Sequence, residues 1–172
     1  MSLSSHQSSR SKSVDHLTPP EWIKALGPFD LDPCASVRQP WPTASEQWTE
    51  LGLYLPWRGL VWLNPPYGPP KIIEPWMAKM ARHNKGVACI PARTETKCWF
   101  KYVWPAAACV LFVKGRPHFH KPVSGERHKS NSGAPIALIA YGLEAAERIL
   151  SSKIEGQLCY LNGAGIAMSP LT

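Results

Sequence analysis

The chain has 172 residues, 44% of them hydrophobic, and carries a formal net charge of +7. That is about one domain, long enough for a real core, and its charge calls for an acidic partner, most simply nucleic acid. No apolar run approaches the ~20 residues that span a bilayer, and the five cysteines show no CxxC spacing, which argues against a membrane protein, a disulfide framework and a zinc ribbon.

The opening stretch MSLSSHQSSRSKSVD is polar and basic without a signal-peptide core, so residues 1–15 are expected to be a disordered basic tail on a cytoplasmic protein. Residues 16–172 are expected to form one domain. Thr18-Pro19-Pro20-Glu21 has capping-box spacing, which predicts a helix with Thr18 as N-cap and Pro19 at its first position, ending near Gly27. Phe29 to Asp32 alternates apolar and polar residues, predicting a short strand with Asp32-Pro33 at its tip. An acid held there suits the ammonium end of a zwitterionic ligand; an Asx-turn is the plainer alternative. Pro40 to Trp57 is rich in Pro and Trp, and predicts a packed loop with a short helix near Ser45 to Leu51.

Leu60-Val61-Trp62-Leu63 reads as a strand covered on both faces, and Asn64-Pro65-Pro66-Tyr67-Gly68 ends it. Each proline biases the residue before it toward extended backbone, so the tip is stiff. Asn64 has a side-chain oxygen, and the Pro65 carbonyl has no ladder obliged to use it. Two acceptors can thus face one amino group. Accepting both N–H bonds of a nucleobase amine as its nitrogen turns tetrahedral favours the transition state over the ground state. The same letters also suit a plain proline-stiffened turn.

Ile72, Ile73, Trp76, Met77 and Met80 recur on one helical face, predicting a helix with a core-facing stripe and Gly86 just past its end. Gly86 to Ile90 predicts the next strand, with Arg93 near its carboxyl end, placed for a phosphate or for an ion pair with Glu95. Thr96 to Val103 is expected to be helical, Cys109 to Val113 and Ile136 to Tyr141 to be strands, and Leu143 to Lys153 a helix. Between the last two strands runs the basic loop 114–133, with Lys114, Arg116, Lys121, Arg127 and Lys129 as candidate DNA contacts. His118, His120 and His128 lack metal-ligand spacing, so no metal is expected. The whole predicts an α/β fold.

Together, Thr18-Pro19, Leu31-Asp32-Pro33-Cys34-Ala35-Ser36, Trp62-Leu63-Asn64-Pro65-Pro66-Tyr67-Gly68 and Pro91-Ala92-Arg93-Thr94-Glu95-Thr96 with Trp99-Phe100 resemble the phage-type Dam family of DNA N6-adenine methyltransferases, in order and in spacing. The resemblance covers roughly residues 16 to 141. It implies a Rossmann-like fold with a mainly parallel sheet flanked by helices, S-adenosylmethionine as cofactor, DNA as partner, and a phage or prophage source. Asn64, Pro65, Pro66 and Tyr67 would form the catalytic motif acting on a flipped-out adenine, with Tyr67 stacked on the base. Thr18, Pro19, Asp32, Pro33 and Ala35, together with Asn64, would border the cofactor. Related folds bind ribose hydroxyls through an acid placed like Glu50, with Glu46 second. Cys34-Ala35-Ser36 departs from the glycines that commonly follow the Asp-Pro pair. An NPPY motif alone also serves enzymes acting on cytosine N4 in DNA or on a base in RNA, and a non-catalytic DNA-binding protein on a degenerate transferase fold is a further alternative. Oligomeric state and target sequence are not legible.

Overall fold

The computed structural model describes residues 16–161; the predicted basic tail at 1–15 and residues 162–172 lie outside the described residues. The elements run α1 (Pro20–Leu26), β1 (Leu31–Asp32), β2 (Glu46–Gln47), β3 (Val61–Leu63), α2 (Pro70–His83), β4 (Gly86–Pro91), α3 (Lys97–Tyr102), β5 (Cys109–Val113), β6 (Ile136–Tyr141), α4 (Leu143–Ser151) and β7 (Gly156–Tyr160). The strands form one sheet in the order β2-β1-β3-β4-β6-β5-β7.

β1, β2, β3 and β4 pair in parallel, while β6 runs antiparallel to β4 and β5, and β7 antiparallel to β5. The sheet is therefore mixed, which corrects the expectation of a mainly parallel one. Apolar runs report burial on both faces but not strand direction. β6 returns from the basic loop into the gap between β4 and β5 and has to enter it reversed.

Burial on both faces explains the continuous apolar runs. Trp62 of β3, Cys89 of β4 and Leu138 of β6 enter one core with Trp22 and Leu26 of α1 and Ala146 and Ile149 of α4. Their strand neighbours Val61, Leu63, Ile90 and Ile139 enter the other with Met77 and Met80 of α2 and Trp99 of α3. Successive strand residues point to opposite faces, so each run feeds both cores. The fully buried Met77 and Met80 contribute ~1.5–3 kcal/mol each by burial. Ile72 of the predicted stripe is 39% exposed, as the stripe is narrower than its apolar count. Gly86 begins β4 where a Cβ would stand 2.3 Å from the Val61 carbonyl, so the close pairing of β3 and β4 requires glycine there.

Three local expectations change. Pro19, not Thr18, is the N-cap of α1, with φ −52° and ψ 128° and no side-chain cap bond. Pro20 excludes Pro19 from the helical region, so the helix begins one residue later and Thr18 is released from capping. The predicted helix over Ser45 to Leu51 is replaced by the two-residue β2 and a turn, because the Glu46 and Trp48 amides bond to the Asp30 and Asp32 carbonyls. β7 lies in a stretch where no element was read.

Candidate active site

β1 and β3 are parallel neighbours, so their carboxyl ends emerge on the same edge and bring Asp32 and Asn64 together. The two tips touch: the Cys34 thiol donates to the Asn64 backbone carbonyl at 3.3 Å. Burial, reinforced by the Asp32 charge, pushes the Cys34 thiol well up, which keeps it a donor. A cavity of about 380 Å³ opens beside the tips, walled by Thr18, Asp32, Pro33, Ala35, Gln39, Thr43, Glu50, Asn64, Pro65, Pro66, Tyr67 and neighbours. That volume suits a cofactor-sized ligand.

Asp32 is 3% exposed. Its Oδ1 accepts from the Cys34 amide at 3.1 Å and its Oδ2 from the Thr43 hydroxyl at 2.5 Å. Burial raises its pKa from 3.8 to about 6 against the lowering effect of those two bonds. On the cavity wall, Thr18 Oγ1, Gln39 Nε2 and Trp62 Nε1 are buried without a hydrogen-bond partner among the described residues. Buried polar atoms are ordinarily paired, so three orphans beside one acid mark a place for a polar ligand.

At the second tip, Asn64 Nδ2 donates to the His16 carbonyl at 2.7 Å and Asn64 Oδ1 accepts from the Tyr67 hydroxyl at 2.9 Å. The same hydroxyl lies 3.1 Å from the Cys89 carbonyl. Burial, with the Cys89 side chain next in effect, holds its pKa well up, so it remains a donor. Asn64 Oδ1 has a second lone pair, and the Pro65 carbonyl has no donor among the described residues. Two acceptors thus stay available at the tip.

Glu50 lies on the cavity wall, whereas Glu46 does not and accepts instead from Trp48 Nε1 at 2.6 Å. Pro19 is buried beside Thr18 without lining the cavity. Arg93 is exposed, does not line the cavity, and forms no ion pair with Glu95 among the described residues. In the basic loop, Lys114 pairs with Glu155, Lys121 with Glu126, and Arg116 donates to the Gly133 carbonyl. Arg127 and Lys129 are exposed with no side-chain partner among the described residues. Among the described residues, no three His, Cys, Asp or Glu side chains are grouped to hold a metal ion.

Sequence reasoning passed over Gln39, Thr43, Thr49, Tyr54 and Trp76, which also wall the cavity. Gln39 and Thr43 sit in an aperiodic Pro-Trp loop, and Trp76 was read as part of a core stripe. Only their closeness to the two tips in the fold marks them.

The family model for DNA N-6-adenine-methyltransferase (Dam) matches residues 18–160. The chain belongs to this family. Membership makes it a DNA adenine methyltransferase, with DNA as the substrate class. No individual curated protein matches the chain in sequence. The Dam match begins at Thr18 and ends at Tyr160, so it includes both tips, the basic loop and all of the cavity wall except His16 and Leu17. No helix among the described residues is long and apolar enough to cross a membrane.

Proposed function

We propose that the chain transfers a methyl group from S-adenosylmethionine to the N6 amine of an adenine flipped out of duplex DNA, with Asn64, Pro65, Pro66 and Tyr67 as the amine-binding motif. The observation that carries this reading is the pair of acceptors with a lone pair to spare among the described residues, Asn64 Oδ1 and the Pro65 carbonyl, beside a cavity with a buried acid and three unpartnered polar atoms.

The residues present fit the cofactor. Asp32 suits an ammonium group, Gln39 Nε2 and Trp62 Nε1 are donors for acceptor atoms, Thr18 Oγ1 serves either role, and Glu50 suits ribose hydroxyls. Pro33 and Ala35 supply the apolar wall. S-adenosylmethionine, when bound, supplies an electrophilic methyl. The protein's own part is orientation. Asn64 Oδ1 and the Pro65 carbonyl accept the two N–H bonds of the amine and turn its lone pair outward, which strengthens as the nitrogen gains positive charge. Tyr67 holds Asn64 through its hydroxyl while its ring offers a stacking face. The proton leaves to solvent afterwards, as Asn64 is not a base. Adenine inside a duplex cannot reach this cavity, so the base has to leave the stack at a cost of a few kcal/mol. Lys114, Arg116, Lys121, Arg127 and Lys129, with Arg93, would contact the DNA backbone.

The test is transfer of labelled methyl from S-adenosylmethionine to unmodified DNA, followed by nucleoside digestion. N6-methyladenine is expected. Asn64→Ala is expected to lose at least about 100-fold in kcat and to keep cofactor binding. Methylcytosine as product, or no product across varied DNA, would overturn the proposal.

A further inference from the structure

The imidazole of His16 stands inside a box of three rings. Its centroid is 6.2 Å from Tyr67 with planes 26° apart, 5.8 Å from Phe119 and 6.1 Å from His128. Tyr67 and Phe119 close the box edge to face at 6.1 Å. The enclosure adjoins the amine-binding tip, since the His16 carbonyl accepts the Asn64 amide at 2.7 Å. Backbone pairing fixes the segment: Leu17 and His120 exchange hydrogen bonds of 3.2 and 2.9 Å, and His120 bridges on to Arg127. His16 is thus pinned by its main chain while its side chain fills the space over Tyr67.

One wall of this box is unsatisfied. His128 Nε2 is buried without a hydrogen-bond partner among the described residues. The His128 carbonyl, by contrast, is used by His118 Nδ1 at 2.8 Å, so the residue is held and its ring nitrogen left over. A polar ring nitrogen kept from water without a partner is costly to the fold. Such an atom is explained if a ligand atom meets it when the site is engaged.

We propose that His16 is a removable plug in the target-base subsite, and that His128 is a recognition residue whose Nε2–H donates to a ring nitrogen of the flipped base. This rests on the base-flipping reading above and goes beyond it, by naming what holds the box before DNA arrives and what reads the base afterwards. The plug resembles its replacement: imidazole is a flat heteroaromatic ring, and the ring nitrogens at the purine edges are acceptors for an N–H donor. Rotation of the His16 side chain opens the face of Tyr67 while the Leu17 to His120 pairing keeps the main chain in place. The base then meets aromatic walls at Tyr67 and Phe119, the acceptors Asn64 Oδ1 and the Pro65 carbonyl at its amine, and His128 at its ring.

The experiment compares full-length wild type with His16→Ala, His128→Phe and His128→Gln in steady-state methyl transfer to unmethylated DNA, with S-adenosylmethionine affinity measured by calorimetry as the check on folding. His16→Ala is expected to lower the KM for DNA about threefold or more, as the competing occupant is gone. Free imidazole at millimolar concentration should then compete with DNA in that variant and leave wild type unaffected. His128→Phe keeps the wall and loses the donor, so kcat/KM for DNA is expected to fall about tenfold with cofactor affinity retained, and His128→Gln should recover most of it. A raised DNA KM in His16→Ala, or equal kcat/KM in His128→Phe and wild type, would overturn the inference while leaving methyl transfer by wild type intact. Failure of wild type to methylate any DNA would take down both readings.

Discussion

Thr43 Oγ1 lies 2.5 Å from Asp32 Oδ2 and 2.9 Å from Gln47 Oε1, so one hydroxyl faces two acceptors with a single proton. Donated to Asp32, the shorter of the two contacts, that proton favours the charged carboxylate, while burial outweighs it and raises the pKa to about 6. A cationic ligand beside Asp32 would favour the charged form and release the carboxyl proton.

Two consequences follow with definite signs. Binding of S-adenosylmethionine through the Asp32 carboxylate requires the charged form, so affinity should be level above about pH 6 and fall about tenfold per unit below it. Calorimetry in buffers of different ionisation enthalpy should show proton release at pH 5.5 and none at pH 8; flat affinity from pH 5 to 8 would exclude this role. Stability runs the other way. Because the folded-state pKa lies above the ordinary 3.8, the folded protein binds more protons than the unfolded chain between the two values. The stabilising contribution is full below about 3.8 and is lost as pH rises through about 6, amounting to about 3 kcal/mol. Asp32→Asn should therefore unfold at a temperature several degrees above wild type at pH 8 and bind no cofactor.

Lys79 fixes the other side of the cavity. Its ammonium donates to the carbonyls of Gly52, Leu53 and Leu55 at 3.1, 2.8 and 2.5 Å, which uses all three of its protons, and it stands 5.1 Å over the Trp57 ring. Trp57 Nε1 also donates to the Gly52 carbonyl at 2.7 Å. The turn so held carries Glu50 to Tyr54 along the cavity wall. Lys79→Met should raise the KM for S-adenosylmethionine about three- to tenfold, with kcat and the KM for DNA little changed. Lys79→Arg should recover part of the loss, and an equal fall in kcat would show that the turn acts on more than cofactor binding.

How much of this was legible depended on whether a signal was local. The β3 run and the Asn64-Pro65-Pro66-Tyr67 tip were readable because proline acts on the residue beside it. The stripe of α2 and the runs of β4, β5 and β6 were readable because burial on two faces leaves nothing polar to interrupt them. β2 was not, since Glu46 and Gln47 are exposed and become a strand only through the β1 backbone. β7, exposed along much of its length, exists through its pairing with β5 in the same way. Thr18 had the right spacing for a cap, yet two consecutive prolines shifted the helix start. The released hydroxyl became a cavity atom, which capping rules do not foresee. Gln39, Thr43 and His16 reach the site through chain reversals that no periodicity records.

Gly59 tests the frame behind the tips. It has φ 64°, and a Cβ there would stand 2.2 Å from Asp30 Oδ2, which accepts the Leu60 amide at 2.6 Å. Asp30 in turn donates its amide to the Leu60 carbonyl at 2.8 Å, so this turn sets the approach of β1 to β3. Gly59→Ala adds strain at a left-handed position and expels the Asp30 carboxylate, with an expected loss of about 1–3 kcal/mol. Urea unfolding would show it as a lower midpoint at constant slope. A stability within ~0.5 kcal/mol of wild type would mean that the turn is free to rebuild.

The basic loop divides into engaged and free cations. Lys114 and Lys121 hold exposed ion pairs and Arg116 a backbone carbonyl, bonds weak enough to yield to phosphate but already spent within the loop. Arg127 and Lys129 carry no such bond among the described residues, and Arg127 bridges through its backbone to His120, beside the segment that holds His16. These two cations are then the cheapest to commit to phosphates flanking a flipped base. Replacing both by Gln should weaken binding to all DNA sequences alike and reduce the slope of log K against log salt by about 2, close to 0.9 for each phosphate contact. The same change at Lys114 and Lys121 should cost less, because each loses its carboxylate partner's attraction along with the contact to DNA. Measured by fluorescence anisotropy over a salt series, an unchanged slope in the Arg127 and Lys129 variant would move the DNA interface elsewhere on the molecule.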